Sequence, residues 1–381
     1  MKVAVAVHGR FHGFDLAREL YARDALAGLL TTYPAFACRR FLPDGLAVTS
    51  APLLELVRRL HGRFGLGPSP HLWIGQRFAR FVERSRPAGT DVLVGWSGAT
   101  LEAIEPARRR GIKVVLERGS SHIAHQADVL AEEYARHGLS FTPVDPRMVA
   151  RECAEYAAAD LIAVPTSFAA RTFIDRGVAA ERLVVNPYGV NLDAFSPPPP
   201  RAPGGPVRVL FVGRVGLRKG LAALLNAAKR LGSGIDLRLV GPLEAEAAAM
   251  LAGAPDSVTV VGPVPGSALP AEYRAADIFC LPSLEEGLPL TLLQAMASGL
   301  AAVVTPETGA QDMMESGIGG LIVPSGDGAA LAEALARLAG DAETRIAMGR
   351  VARQRVAAGH GWSDYGDRAM AAYGRLLGDG A

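Results

Sequence analysis

The chemistry most plainly on offer in this sequence is the binding of a polyanion. Between Gly213 and Gly220 the chain reads Gly-Arg-Val-Gly-Leu-Arg-Lys-Gly, which places Arg214 and Lys219 among glycines between an apolar run and a helical pattern. Two cations converging on a helix N-terminus, whose first N–H groups lack intrahelical acceptors, suit a pyrophosphate. Only four of the 40 basic residues are lysine, namely Lys2, Lys113, Lys219 and Lys229. A lysine beside a glycine turn is therefore informative.

A second stretch, Pro282 to Thr305, reads PSLEEGLPLTLLQAMASGLAAVVT. Glu285 and Glu286 precede Gly287, and the spacing predicts a helix from near Pro289 to Gly299, with proline at the start and glycine past the end. Its first backbone N–H groups, at Leu290 and Thr291, would suit phosphate oxygens. An acidic residue at a helix start is also an ordinary dipole partner, the simpler reading of Glu285.

Other loops offer weaker chemistry. Gly9 and Gly13 bracket a turn before a helix, which fits a tight turn as well as close backbone approach to an anion. The pattern is neither a dinucleotide fingerprint nor a P-loop, so nicotinamide cofactors and P-loop nucleotide hydrolysis lose support. GWSGAT, from Gly95, is one glycine short of a nucleophile elbow because Ala99 holds the last position, so a sharp strand-to-helix turn is the better reading. In ERGSSHIAHQ, Glu117, Ser121 and His122 fall at a strand's carboxyl edge. His122 and His125 have no Glu between them and no third ligand nearby, which disfavours zinc. No Asp-x-Asp occurs, which removes the usual sequence cue for a divalent cation.

These loops need elements to hold them. Short β-branched runs alternate with helical patterns on both sides of SPPPPRAPGGP, residues 196–206, whose six prolines and two glycines exclude helix and central strand. Strands are predicted at Val3–Val7, Asp91–Gly95, Ile112–Leu116, Asp160–Val164 and Leu183–Asn186 before that linker. After it they are predicted at Val207–Gly213, Ile235–Gly241, Val258–Gly262, Asp277–Pro282, Ala301–Thr305 and Gly320–Pro324. Continuous apolar runs of this length suit parallel strands covered on both faces. The expected organisation is α/β, with two doubly wound domains facing a cleft: 1–195, the linker 196–206, and 207–361. Ligands then bind beyond the strands' carboxyl ends.

Composition narrows the function classes. With 381 residues, 49% apolar and 20% charged, the chain has material for two ordinary cores and is neither disordered nor a coiled coil. Forty basic against 38 acidic residues leave +2, no global field for nucleic acid. Cys38, Cys153 and Cys280 fit neither a disulfide framework nor a zinc ribbon, and no apolar run suits a signal peptide or a membrane span. A cytoplasmic location is expected. Between Leu53 and Arg86 seven arginines outnumber two glutamates and interleave with Phe64, Trp73, Phe78 and Phe81. That reads either as a solvated face over a normal core or as a surface for anionic membrane.

The motifs together resemble the retaining glycosyltransferases of family 4, whose fold is GT-B. That family's signature is a Glu, seven residues, and a second Glu followed by Ala-Met-Ala, preceded by Pro-Ser. Here Pro282, Ser283, Glu286, Gly287, Ala295, Met296, Ala297 and Gly299 stand in register, and the family's Gly-Arg-(four residues)-Lys-Gly matches Gly213, Arg214, Lys219 and Gly220. PYGVNLDAFSP before the linker is also similar. The resemblance implies two Rossmann-like domains, the first for an acceptor and the second for a nucleotide-diphosphate sugar, with the last helix, about 362–381, packing back on the first.

It further implies that Arg214 and Lys219 hold the donor pyrophosphate, that Glu286 bonds the sugar hydroxyls, and that Val264 lies by the base. The Gly9 loop would approach the phosphates, and His122 would be the cleft histidine near the transferred sugar, with His125 as the alternative. The departure is Gln294, in place of the second Glu. An amide offers a ribose one acceptor oxygen where a carboxylate offers two. The implied activity is metal-independent transfer with retention of configuration, without a bound cofactor, to a bacterial cell-surface glycan or glycolipid precursor. A noncatalytic nucleotide-sugar-binding subunit and a nucleotide-sugar epimerase are the rival readings.

Overall fold

Unbroken apolar runs can be satisfied only where both faces of a strand are covered, and this chain builds two such sheets. The computed structural model describes residues 1–64, 69–139, 144–197 and 205–378. The first sheet holds β1 (Val3–Val7), β2 (Leu26–Thr31), β3 (Val48–Ser50), β4 (Val92–Trp96), β5 (Lys113–Glu117), β6 (Leu161–Val164) and β7 (Leu183–Val185). The second holds β8 (Val207–Val212), β9 (Ile235–Val240), β10 (Val258–Gly262), β11 (Ile278–Leu281), β12 (Ala301–Val304) and β13 (Gly320–Ile322).

All pairings between these strands are parallel, in the orders β3-β2-β1-β4-β5-β6-β7 and β10-β9-β8-β11-β12-β13. Chain direction across the sheet therefore reverses between β1 and β4, and again between β8 and β11. Crevices at the carboxyl ends of those pairs are where such sheets take ligands. This is the two-domain GT-B architecture.

Two strands were not expected. β2 reads Leu-Ala-Gly-Leu-Leu-Thr, without a β-branched residue before Thr31, and β3 has only three residues. Both are strands because β1 supplies a paired neighbour to β2, and β2 in turn to β3, so tertiary pairing overrides weak local propensity. Of the linker, residues 198–204 lie outside the described residues. One apolar cluster runs on through both halves by way of Tyr188, Val190 and Phe195.

The helix Trp362–Leu377 returns to the first half, packing on the helix Gly13–Ala22. Arg23 pairs with Asp367 at 2.7 Å, and the Tyr365 hydroxyl donates to Glu117 at 3.2 Å. No helix among the described residues is long and apolar enough to cross a membrane.

Candidate functional site

The loops beyond β8 and β11 are locked together before they meet anything else. After β8 a short turn, Leu217–Lys219, ends at Gly220, whose φ of +78° is the left-handed region. A Cβ there would sit 2.0 Å from the Pro282 carbonyl oxygen, so only glycine lets the two loops touch. The Leu284 N–H donates to the Arg218 carbonyl at 2.9 Å, sealing the contact. Lys219 and Glu286 thereby form a direct ion pair, while Arg218 lies 3.8 Å from the other Glu286 oxygen.

Electrostatics follow from this crowding. The Lys219 side chain is only 14% exposed. Burial, with Arg218 beside it, draws its ammonium below the usual lysine range, and the Glu285 carboxylate opposes that. Arg214 is 64% exposed and held by Glu244 at 2.9 Å, leaving it at the rim. These cations face a cavity of about 1070 Å³ between the halves.

Glu285 is fully buried at the seam between the halves. It accepts hydrogen bonds from Ser120 Oγ (2.6 Å), Ser121 N (3.1 Å) and Ser121 Oγ (2.6 Å), and from Gln126 Nε2 (2.8 Å), all in the first half. From its own half Arg218 Nε donates at 2.8 Å. Burial alone would raise this carboxyl, but Arg218, the serine hydroxyls and Arg118 outweigh it and hold the group at about 2. The simple reading of Glu285 as a dipole partner of its own helix gives way to a bond network that joins the halves.

The facing wall comes from the ends of β1 and β4 and from nearby helices. His8, Ser97, Gly98, Gln126 and Glu152 line the cavity there. His8 Nδ1 is buried without a hydrogen-bond partner, and burial lowers its pKa to about 4, so the ring is neutral near pH 7. The helix N-terminus after β4 is already occupied, since Glu155 accepts from the backbone N–H of Gly98, Thr100 and Leu101. That spends the donors a serine nucleophile would need as an oxyanion hole.

Other expected residues take these places. His122 does not line the cavity: its Nδ1 accepts from Ala124 N as the cap of the helix Ile123–Arg136, and its ring packs 4.9 Å from both Tyr156 and Phe173. The ring is drawn into an aromatic cluster and the backbone N–H of His122 donates to Thr172. Gly9 has φ of +85° with its N–H on Thr32 and its carbonyl on Thr31, whereas a Cβ on Gly13 would press on Trp96 and Val7, so packing requires that glycine. Gly213 follows β8 directly.

Val264 is partly buried against the main core. Leu290 and Thr291 open the helix Leu290–Ala297, with Pro289 as its cap residue. Gln294 lies 3.1 Å from the hydroxyl of buried Tyr273, which is also 3.1 Å from the Thr291 carbonyl. Gly287 packs where a Cβ would meet the Gly119 carbonyl of the other half at 2.3 Å. Among the described residues no group of three His, Cys, Asp or Glu side chains is placed to hold a metal ion.

Sequence reasoning missed Arg218, Ser120, Gln126 and His8. Arg218 stood beside Lys219 in the same motif; the others depend on which distant loops meet, which no local pattern reports.

Residues 206–341 match the family model described as glycosyl transferases group 1. The D-inositol 3-phosphate glycosyltransferase 1 of Catenulispora acidiphila is 31% identical over 291 residues, 70% of this chain and 68% of that protein. The amylovoran biosynthesis glycosyltransferase AmsK of Erwinia amylovora is 28% identical over 270 residues, 66% of this chain and 62% of that protein. The chain belongs to the group 1 glycosyltransferases. It spans about two thirds of the length of these curated relatives. Among solved structures, sucrose-phosphate synthase from Thermosynechococcus elongatus superposes over 100% of both chains with a TM-score of 0.68 at 20% identity. Anabaena HepE in complex with UDP-glucose superposes over 98% of this chain and 100% of that one, with a TM-score of 0.69 at 16% identity.

Proposed function

We propose that this protein transfers a sugar, with retention of configuration and without a metal, from a nucleotide-diphosphate sugar to a hydroxyl of a glycan or glycolipid precursor of the cell surface. The observation that carries this reading is the convergence of Lys219, Arg218 and Arg214 on the cavity beyond β8, with Glu286 paired to Lys219. The relative named for amylovoran biosynthesis supports a biosynthetic role, and the neighbour in complex with UDP-glucose supports a sugar nucleotide.

In this reading the bond from the anomeric carbon to the diphosphate breaks, the acceptor oxygen bonds to the same face of that carbon, and the acceptor's proton passes to the departing phosphate. Charge grows on the diphosphate as the bond breaks, and preorganised cations stabilise that growth. Arg214, Arg218 and Lys219 are those cations, and the N–H groups of Leu290 and Thr291 add to them. Glu286, held by Lys219 and Ser283, takes sugar hydroxyls. His8, Ser97 and Gly98 form the acceptor side. His122 acts through the Ser120–Ser121 segment that it follows.

The acceptor is proposed to be met at the anionic inner face of the membrane. In the helix Pro52–Phe64 only Glu55 is buried; Leu53 is 74% exposed, with Leu56, Leu60 and Phe64 also exposed, and Arg58 and Arg59 pair with Glu55. An apolar face rimmed by arginine suits anionic lipid. The next helix, His71–Ser85, instead buries Ile74, Phe78 and Val82 in the core.

Transfer assays with sugar nucleotides in EDTA test the reading. Product formed at an undiminished rate is expected; loss of turnover restored by Mn2+ or Mg2+ would refute the metal-free part. A changed sugar nucleotide without product would indicate an epimerase, and binding without turnover a noncatalytic subunit. Vesicle co-sedimentation tests the membrane part: Leu60→Glu should reduce binding to anionic vesicles, and equal binding of wild type to neutral and anionic vesicles removes it.

A further inference from the structure

The seam between the halves is polar, and one carboxylate collects its bonds. Glu285 takes four hydrogen bonds from Ser120, Ser121 and Gln126 of the first half, and one from Arg218 of the second. The amide of Gln126 cannot turn away, because Arg118 Nη2 donates to its Oε1 at 2.8 Å and so points its NH2 at Glu285. Arg118 is itself fixed by Glu152 and by the Ser121 carbonyl. Arg218 in turn touches both halves, Nε on Glu285 and Nη2 3.3 Å from Ser120 Oγ, while its side chain lines the cavity.

We propose that Glu285 is a positioning residue for the donor site: it plugs the second half into the Ser120–Ser121 turn of the first and, by gripping Nε while Nη2 rests on Ser120, leaves Nη1 of Arg218 for the diphosphate beside Lys219. This rests on the donor-site reading above. Four of its five donors come from the first half, so separating the halves leaves Glu285 with Arg218 and water, and closing the cleft and fixing Arg218 are coupled. Neither Arg214 nor Lys219 has this role: Arg214 is exposed at the rim and Lys219 pairs within its own half.

Glu285→Gln separates the possibilities. An amide keeps the shape and can still accept from the serines, but its NH2 opposes the donors of Arg218 and Gln126. Titration of UDP and GDP should show binding weakened about tenfold or more, the size of one lost charge-assisted bond. In an Arg218→Ala background the same substitution should change affinity less than twofold, because the residue through which it acts is gone. Equal weakening in both backgrounds, or none in either, overturns the proposal.

Hydrogen exchange of the unliganded protein supplies an independent readout. The Ser121 amide should exchange at least tenfold faster in Glu285→Gln while β8 and β11 amides keep their rates; an unchanged Ser121 amide overturns the closure half. If wild type binds neither nucleotide but this exchange difference is found, the donor reading has failed and the seam has not. Should Glu285→Gln not fold, Gln126→Ala, which removes one donor from the first half, carries the same exchange and titration tests with the same signs.

Discussion

The two walls of the cleft are built by sheets of the same strand order and carry opposite kinds of side chain. Beyond β8 and β11 the wall is ionic, with Arg214, Arg218, Lys219, Glu244, Glu246 and Glu286 around one crevice. Beyond β1 and β4 the equivalent crevice presents no lysine or arginine among the described residues: a neutral imidazole, a hydroxyl and backbone, at His8, Ser97 and Gly98, stand with the carboxylates of Glu152 and Asp145, and its helix N-terminus is capped internally by Glu155. The shared order of six strands, to which the first sheet adds β7, thus decides only where a ligand can sit. The loop residues decide that lysine and arginine gather on one wall and not on the other.

The sharpest way to break this contrast is at its most charged point. Lys219→Ala should lower the rate at saturating donor by about 10²–10³, or roughly 2.7–4 kcal/mol for one lost preorganised charge-stabilising group. Unchanged turnover would remove the ionic wall from the chemistry.

The seam comes next. Gly287→Ala puts a methyl 2.3 Å from the Gly119 carbonyl and 2.8 Å from Pro165, across the halves. Overpacking of this kind costs about 1–3 kcal/mol, and here it should appear as a wider solution scattering profile and weaker nucleotide binding. Gly62→Ala is the contrast, since its new methyl meets nothing within 4 Å on an exposed helix. It should stabilise by about 0.5–1 kcal/mol in urea unfolding. Similar effects from both glycines would show that the seam is not a tight contact.

Acid should act on the two walls in sequence. His122 is buried and His8 half-buried, and desolvation holds both to about 4, below the ordinary imidazole value. The unfolded chain therefore binds more protons, and their stability contribution, full above about pH 6.5, is lost as pH falls towards 4. Glu155, raised to about 7 by burial, works in the opposite sense between about 4.5 and 7 and offsets one of the two histidines. Glu285, held to about 2, adds a further loss below about pH 4.5. Urea midpoints should fall from pH 7 to 5 and faster below 4.5; a midpoint that rises on acidification would contradict these assignments.

Gln294→Glu is the mildest change. Tyr273 has one proton and two oxygens at 3.1 Å, and a carboxylate would win it from the Thr291 carbonyl while its second oxygen stays free. Nucleotide binding should tighten by about 1 kcal/mol, the difference between neutral and charge-assisted bonds. Weaker binding in calorimetry would mean the pocket is built around the amide.

What was legible in the sequence divides along the same line. The β8 and β11 loops announce themselves because their function lies in contiguous residues, a cationic glycine turn and an acidic pair ahead of a helix. Eleven strands were legible from apolar runs; β2 was not, because Leu, Ala and Gly read equally well as other structure until β1 pairs with them. The Glu285 network joins residues more than 150 positions apart, so composition could suggest only a helix-dipole role. That His122 caps its helix was not legible, because a histidine just before a helix pattern can cap that helix as readily as face a ligand.

The most direct test of the division between the walls is calorimetric titration of UDP and GDP, in EDTA, into wild type, Lys219→Ala and His8→Ala. Binding should weaken at least tenfold in Lys219→Ala and stay within twofold of wild type in His8→Ala. A loss in His8→Ala as large as that in Lys219→Ala would contradict the assignment of the diphosphate to the second half.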